Sequence, residues 1–331
     1  MTDRPLPRPR SASPGISRFW FRLSPPSRAI LMMITAIFFF SLMDATVKGL
    51  SQDLHTAQVL WARYTGQLIA LLPFVLPRLT RTLKTRHLHI QVARAFLMMG
   101  ATFCFFTSLR HIGLAEATAV MDLNPMLTTL GAALFLGERF GPRRALGVGA
   151  AVVGALIIIR PGMAVFSPYA LLPLLAACCY TSFSLLTRWV GASESPLTSM
   201  LYTALIGASV LSVIVLPYWI TPAPKHWALM ALIGGLGATG QMLMIRSLSL
   251  GEASLVAPFT YVGLPLATLW AVVFFGDWPD AATILGALVI VGAGLYVWHR
   301  EARQNLPSTC ARLPLDAATP TQPPESPRDD R

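Results

Sequence analysis

An all-α polytopic membrane protein, ten transmembrane helices arranged as two inverted five-helix repeats, is the fold class that three observations predict. The 331-residue chain is 54% hydrophobic and 12% charged, about half the charge of a soluble domain, with mean hydropathy +0.58. Its apolar residues gather into long segments with short connections, and the second half repeats motifs of the first. So little charge cannot coat a water-exposed surface.

A bilayer core of about 30 Å needs roughly 20 apolar residues per helix. Ten segments meet or approach that length: about 29–50, 57–77, 90–109, 114–136, 143–160, 167–187, 197–219, 224–245, 252–275 and 281–298. With the N-terminus placed in the cytoplasm, twenty Lys and Arg fall on that side and four on the other: Lys48, Arg110, Arg160 and Lys225. That asymmetry obeys the positive-inside rule and puts both ends in the cytoplasm. The net charge of +11 therefore records topology, and no nucleic-acid partner is expected.

The expected organisation is a basic tail over 1–28, one repeat over 29–162, a second over 163–299 and a tail over 300–331. Both tails are rich in Pro, Ser and charge, a composition that cannot offset ordering entropy. Cys104, Cys178 and Cys179 lie in apolar segments and Cys310 in a tail. Their spacing matches no metal site or disulfide framework, so no metal and no cofactor is expected.

The repeat is legible in three places. "LRHIGLAEATAV" (109–120) aligns with "IRSLSLGEASLV" (245–256), pairing Arg110 with Arg246 and Glu116 with Glu252. "LGERFGPRRALG" (136–147) aligns with "FGDWPDAATILG" (275–286), pairing Glu138 with Asp277 and Gly147 with Gly286. "FSLMDATVK" (40–48) lies over "YTSFSLLTR" (180–188), with Lys48 over Arg188. Five helices per half is odd, so the second copy enters the membrane the other way up, as in many secondary transporters.

These motifs resemble the ten-helix EamA branch of the drug/metabolite transporter superfamily, over about residues 29–298. The most telling stretch is "LAEATAVMDLNPMLTTLGAALFLGERFGPRRALGVGAAVVGALII", with a mid-helix proline, a Gly-Glu at the helix end and a Gly-rich helix. The second copy departs from the pattern, with Asp277 where Glu is usual and its proline displaced to Pro265. The resemblance implies a secondary carrier of small organic molecules; relatives move amino acids, riboflavin, S-adenosylmethionine or sugar-linked compounds. It also implies that the fifth and tenth helices pack together as scaffold. Gly147, Ala150, Ala151 and Gly154, with Gly286, Gly292 and Gly294, are the small residues such a contact needs.

Candidate site residues follow from intramembrane charge, which costs about 2.5–3.5 kcal/mol per group at mid-membrane and is functional by default. At about 1.5 Å per residue, Asp44 lies roughly 9 Å below the outer end of its helix, Arg63 at similar depth and Asp122 roughly 12 Å down. They form one charged layer, with Lys48 a turn above Asp44. Two readings stand side by side: these groups face a polar cavity, or Asp44 and Lys48 satisfy each other across one turn while Arg63 snorkels. Trp61 and Tyr64 offer aromatic faces to a substrate or to the interface. Asn124–Pro125 interrupts the fourth helix, and Pro258, Gly263 and Pro265 the ninth, around Thr260 and Tyr261. Broken helices are tolerated where protein or a water-filled cavity satisfies the freed backbone. Tyr180 and Gln241 complete the set. Arg94 reads as a snorkelling cation one turn from the cytoplasmic end. Glu116 and Glu252 read as helix-opening acids favoured by the dipole, and His111 as a surface residue.

Two function classes remain: an alternating-access transporter, in which Asp44 or Asp122 would carry a proton if one is coupled, and a membrane-embedded enzyme acting on a lipid or lipid-linked substrate. HExxH, Gly-x-Ser-x-Gly, paired His and a nucleotide-binding loop are all missing from the sequence, which favours the transporter. The expected setting is the plasma membrane, a bacterial inner membrane. The expected partners are a small-molecule substrate, the lipid bilayer and optionally protons, with the chain a monomer or a homodimer.

Overall fold

In the computed structural model, residues 24–85, 87–135, 141–162, 166–190, 195–250 and 256–304 are described. Among them the chain is all helix, without a strand. The first span is α1 (Pro25–Asp53), whose start is set by Ser24, which accepts from the Ser27 amide, and by a proline in the first turn, where its missing N–H costs nothing. The second is α2 (Thr56–Val75), capped by the His55 ring, and the third is α3 (Leu88–Leu109). The fourth is split into α4 (Leu114–Met121) and α5 (Asn124–Phe135). The fifth is α6 (Pro142–Ile159), the sixth α7 (Leu172–Val190), the seventh α8 (Pro196–Ile214) and the eighth α9 (Pro224–Leu250). The ninth is a 3₁₀ turn Ala257–Val262, then α10 (Gly263–Trp270), then a π turn Ala271–Phe275. The tenth is α11 (Ala281–Gln304).

Seven of these helices are, by length and composition alone, apolar enough to cross a membrane. The second falls outside that group because Gln58, Arg63 and Gln67, all buried, lower its hydropathy. The fourth falls outside because it is broken, and the fifth because its apolar stretch, Arg144–Ile159, is short. Those exceptions are informative, since polar residues inside a bundle are there for a partner or a cavity.

The helix contacts obey the repeat. If each helix is exchanged for the one five places along, the first–eighth contact becomes sixth–third, the second–eighth becomes seventh–third, and the first–ninth becomes sixth–fourth; all six contacts are present. The second–seventh, fourth–ninth and fifth–tenth pairs map onto themselves and are present as well. Lys48 meets Asp277, Asp53 meets Lys225 and His226, and His111 stacks on Tyr169 at one face. The start of α1 meets the end of α9 at the other, where Ser247 donates to the Ala29 carbonyl. Spans one and ten thus begin and end at a common face, called here the terminal face.

The fifth–tenth contact repeats itself at atomic level. A Cβ on Gly154 would come 2.8 Å from the Gly286 carbonyl oxygen, and one on Gly286 would come 2.5 Å from that of Gly154. The sequence register pairs Gly147 with Gly286 and therefore Gly154 with Ala293, and Gly147 indeed faces Val297 and the Ala293 carbonyl. The same helix faces thus meet at both places, backbone to backbone at Gly154–Gly286 and through the Val297 side chain at Gly147. Two of the small residues expected there serve otherwise: Gly292 has open space around it, and Gly294 faces the Tyr261 ring. A second backbone contact was not foreseen: Gly66 in α2 meets Gly234 in α9, where a Cβ on Gly66 would come 2.7 Å from the Gly234 Cα.

Candidate substrate-binding site

The broken fourth span begins the site. Met121 is the last helical residue, and Asp122, with φ −67° and ψ −2°, caps the break. Pro125 has no N–H to give the Met121 carbonyl, so the ladder cannot run through, and α5 restarts at Asn124. The Asn124 side-chain oxygen accepts from Thr128 at 3.2 Å and from Thr181 of α7 at 3.0 Å, tying the restart to the sixth span. Opposite it, the 3₁₀ turn Ala257–Val262 carries Thr260 before Gly263 opens α10. Both interruptions border one space.

That space is a cavity of about 310 Å³ whose wall includes Asp44, Arg63, Asp122, Asn124, Tyr180, Gln241 and Thr260. Residues separated by more than two hundred positions therefore converge between the two halves. Arg63 is 6% exposed; its Nη1 donates to Thr102 Oγ1 at 3.1 Å, and its guanidinium lies 5.2 Å from the Tyr64 ring and 5.7 Å from the Phe106 ring. Its Nε and Asp122 Oδ2 are buried without a hydrogen-bond partner among the described residues.

A second lobe of about 390 Å³ shares Arg63, Met98, Tyr180, Gln241 and Met244 as wall with the first. It runs toward the terminal face, ending at Pro196 and Ser199 in the first turn of α8 and Ser249 in the last turn of α9. Tyr64, buried with its hydroxyl 3.2 Å from Thr102 Oγ1, borders this lobe. So does Arg94. The expectation that Arg94 snorkels is corrected: it is 3% exposed, and its Nη1 donates to Gln91 Oε1 at 3.0 Å and Ser199 Oγ at 2.8 Å. Its guanidinium sits 5.0 Å from the Phe183 ring. These partners come from the sixth and seventh spans as well as its own turn, and their grip replaces the headgroup contact.

A third cavity, about 730 Å³, lies at the opposite face and shares no lining residue with the other two. Lys48 belongs here, not to the central cavity. Its Nζ donates to Asp277 Oδ2 at 2.6 Å and lies 5.0 Å from the Phe275 ring, so the reading in which it pairs with Asp44 across one turn is corrected. Gly276, at φ 68°, is a left-handed residue that turns the chain so Asp277 can reach Lys48; such a φ suits glycine. Arg160, itself left-handed at φ 49°, donates to Asp280, and that hydrogen bond holds the Asp280 carboxyl down at about 2. Glu116 lies in the first turn of α4 and lines this cavity, and the exposed His111 lines it too. Glu138 and Glu252 lie outside the described residues.

Two other candidates take no part in either lobe. Trp61 donates from Nε1 to Ser212 Oγ at 2.9 Å and packs edge-on against Trp219. Tyr261 is buried against Gly294 of the last span, its hydroxyl without a partner among the described residues. Residues not anticipated include Met98, Thr102 and Phe105 of α3. With Arg94 they fall at spacings of four, four and three, one face of a helix, so the buried arginine was the signal that could have found them.

The geometry is that of two adjoining cavities lined by residues of both halves of the chain. The model of the EamA-like transporter family matches residues 27–160 and again 167–298. The chain belongs to the EamA-like transporter family. A similar relative is the S-adenosylmethionine uptake transporter of Rickettsia prowazekii, 27% identical over 83% of this chain and 92% of that one. The pseudopaline exporter of Pseudomonas aeruginosa is 31% identical over 80% of this chain and 93% of its own length, and the riboflavin transporter of Brucella anthropi 27% identical over 72% and 87%. A solved crystal structure shares the fold with a TM-score of 0.61 at 21% identity, covering 84% of this chain and 99% of that one. The chain is a multi-pass membrane transporter of small metabolites.

Proposed function

We propose that this transporter is a secondary carrier working by alternating access, with substrate held between the repeats by Asp44, Arg63, Asp122, Asn124, Tyr180, Gln241 and Thr260. The observation that carries this reading is the convergence of two acids and an arginine on one cavity bounded by two broken helices. Cavities of about 300–1,000 Å³ suit small organic ligands, and two lobes of about 310 and 390 Å³ fit a metabolite rather than an ion or a protein segment. The lobes lead toward the terminal face, while the Lys48–Asp277 pair spans the first and ninth helices at the other. In this reading the pair must part for the site to face that side. Asp44 and Asp122 are the groups able to carry a coupled proton.

The membrane is a bacterial inner membrane and both ends are cytoplasmic, in keeping with twenty Lys and Arg on the terminal side against four on the other and the positive-inside rule. The relatives include uptake carriers and an exporter, so direction does not transfer by family. The test is flux in proteoliposomes holding the purified protein, with S-adenosylmethionine, riboflavin and amino acids as solutes. The expected result is saturable movement of at least one solute, recovered chemically unchanged; recovery of a modified solute would point to an enzyme and overturn the carrier.

A further inference from the structure

We propose that Asn124 is a dedicated hydrogen-bond donor that reads an acceptor atom on the carried solute, and that Thr181 of the sixth span is the positioning residue that fixes this polarity. The proposal rests on the carrier reading above and adds a specificity rule to its site. At the fourth-span break the solute is held through a carbonyl, an ether or an unprotonated ring nitrogen, not through a donor of its own.

Asn124 opens α5 just before Pro125, at the break that borders the central cavity. The outline of a primary amide leaves its polarity open, because the accepting oxygen and the donating nitrogen have nearly the same shape. Two hydroxyls close that choice. Thr128 Oγ1 lies 3.2 Å and Thr181 Oγ1 3.0 Å from Asn124 Oδ1, and neither threonine has another hydrogen bond among the described residues. Each hydroxyl has one proton to give, and Oδ1 is the acceptor in its reach. With the amide reversed, both protons would lack an acceptor, and Thr181 is only 7% exposed. A buried donor left unmet costs more than a made hydrogen bond returns.

The Thr181 side chain is itself held in place. It is branched at Cβ and therefore stiff, and its methyl faces Gly131 of α5, where a Cβ would come 3.6 Å from it. The methyl rests on one part of α5 while the hydroxyl reaches its first residue. With both acceptor positions of Oδ1 in use, the two N–H donors are what remains to Asn124. They have no hydrogen-bond partner among the described residues, and the nitrogen is not sealed away but opens on the cavity that Asn124 lines. Ionised Asp44 and Asp122 on the same wall only accept; Asn124 only donates.

The test uses the full-length protein in phosphatidylcholine nanodiscs. Asparagine occurs only at 124 and 305, so a protein carrying Asn305→Gln and grown on asparagine labelled with carbon-13 and nitrogen-15 has one reporting side chain. Thr181→Val and Thr128→Val should each raise the infrared frequency of the labelled side-chain carbonyl, the sign of a lost accepted hydrogen bond, and Thr181→Ser should leave it in place. An unmoved band in Thr181→Val would mean that the amide is reversed and would overturn the proposal. The solute probes are S-adenosylmethionine and riboflavin, both rich in carbonyl and ring-nitrogen acceptors. At least one should shift the Asn124 nitrogen resonance and leave the carbonyl band alone; a solute-dependent carbonyl shift, or no nitrogen shift with either probe, would overturn the donor role. For the probe that shifts it, Thr181→Val should raise KM for flux about 2- to 10-fold, the range of one net hydrogen bond, with the maximal rate held within about twofold. Thr181→Ser should restore KM, and adding Thr181→Val to Asn124→Ala should cost nothing further; additive losses would show that Thr181 does not act through Asn124. Flux of either probe with an unmoved nitrogen line would leave the carrier standing and remove this proposal; a shifted line without flux would do the reverse.

Discussion

Asp44 and Asp122 carry the sharpest consequence at the scale of single residues. Both line the central cavity between the repeats. Asp44→Asn and Asp122→Asn remove a charge that costs energy in the bilayer, so insertion should be eased, not impaired. Transport in proteoliposomes should nonetheless fall by about tenfold or more, the usual scale for losing a charged contact. Wild-type flux in both variants would remove the acids from the site. Asp280 offers a pH test outside the membrane spans. The hydrogen bond from Arg160 depresses its carboxyl from 3.8 to about 2, so its contribution to stability is full above 3.8 and is lost as pH falls through about 2. Asp280→Asn should therefore lower the melting temperature near neutral pH, with the gap from wild type closing in strong acid. A gap that widened on acidification would contradict the assigned pair.

At the scale of elements, the fifth–tenth contact is a backbone approach and the ninth span a broken one. Gly154→Leu and Gly286→Val would drive side chains into the opposing carbonyls, and overpacking of this kind costs about 1–3 kcal/mol. Gly292→Ala and Gly149→Ala meet nothing within 4 Å and should melt like wild type. Equal melting temperatures for all four, measured on detergent-purified protein, would show that the helices do not meet here. The Lys48–Asp277 pair ties α1 to the end of the ninth span. Lys48→Asp or Asp277→Lys alone should alter transport, and the charge-swapped double variant should recover much of it; additive losses in a double-mutant cycle would deny a direct pair.

For the whole molecule, the exchange of contacts under a five-helix shift predicts that the chain's ends share a compartment. Reporters fused at either terminus should report the same side, and one inserted after Gly162, between the repeats, the opposite side. A split result would break the ten-span topology. The same pseudo-symmetry implies that a second state is reached by exchanging the roles of the repeats, as inverted-repeat carriers do. Cysteine-accessibility at Lys48 and Ser199, near opposite mouths, should respond in opposite directions when a transported solute is added.

Class, the positions of the apolar spans and the intramembrane charges were legible in the sequence itself, because hydropathy is a local sum that needs no partner. The helix breaks at Asn124–Pro125 and Pro258–Gly263 were legible for the same reason: proline removes a donor wherever it sits. Asp44, Arg63 and Asp122 were placed in one layer by rise per residue alone, and they do line one cavity. Which charge meets which was not legible. Lys48 has Asp44 one turn away but pairs with Asp277, 229 residues on, because the azimuth of each side chain about its helix is set by neighbouring helices. Arg94 was misread as a snorkelling residue for a like reason; only packing of the sixth and seventh spans over α3 brings Ser199 and Phe183 to it. Depth in the bilayer is written in the sequence as distance along a helix. Facing is not: it is decided when ten helices choose their rotations together, and there the tertiary structure alone decides.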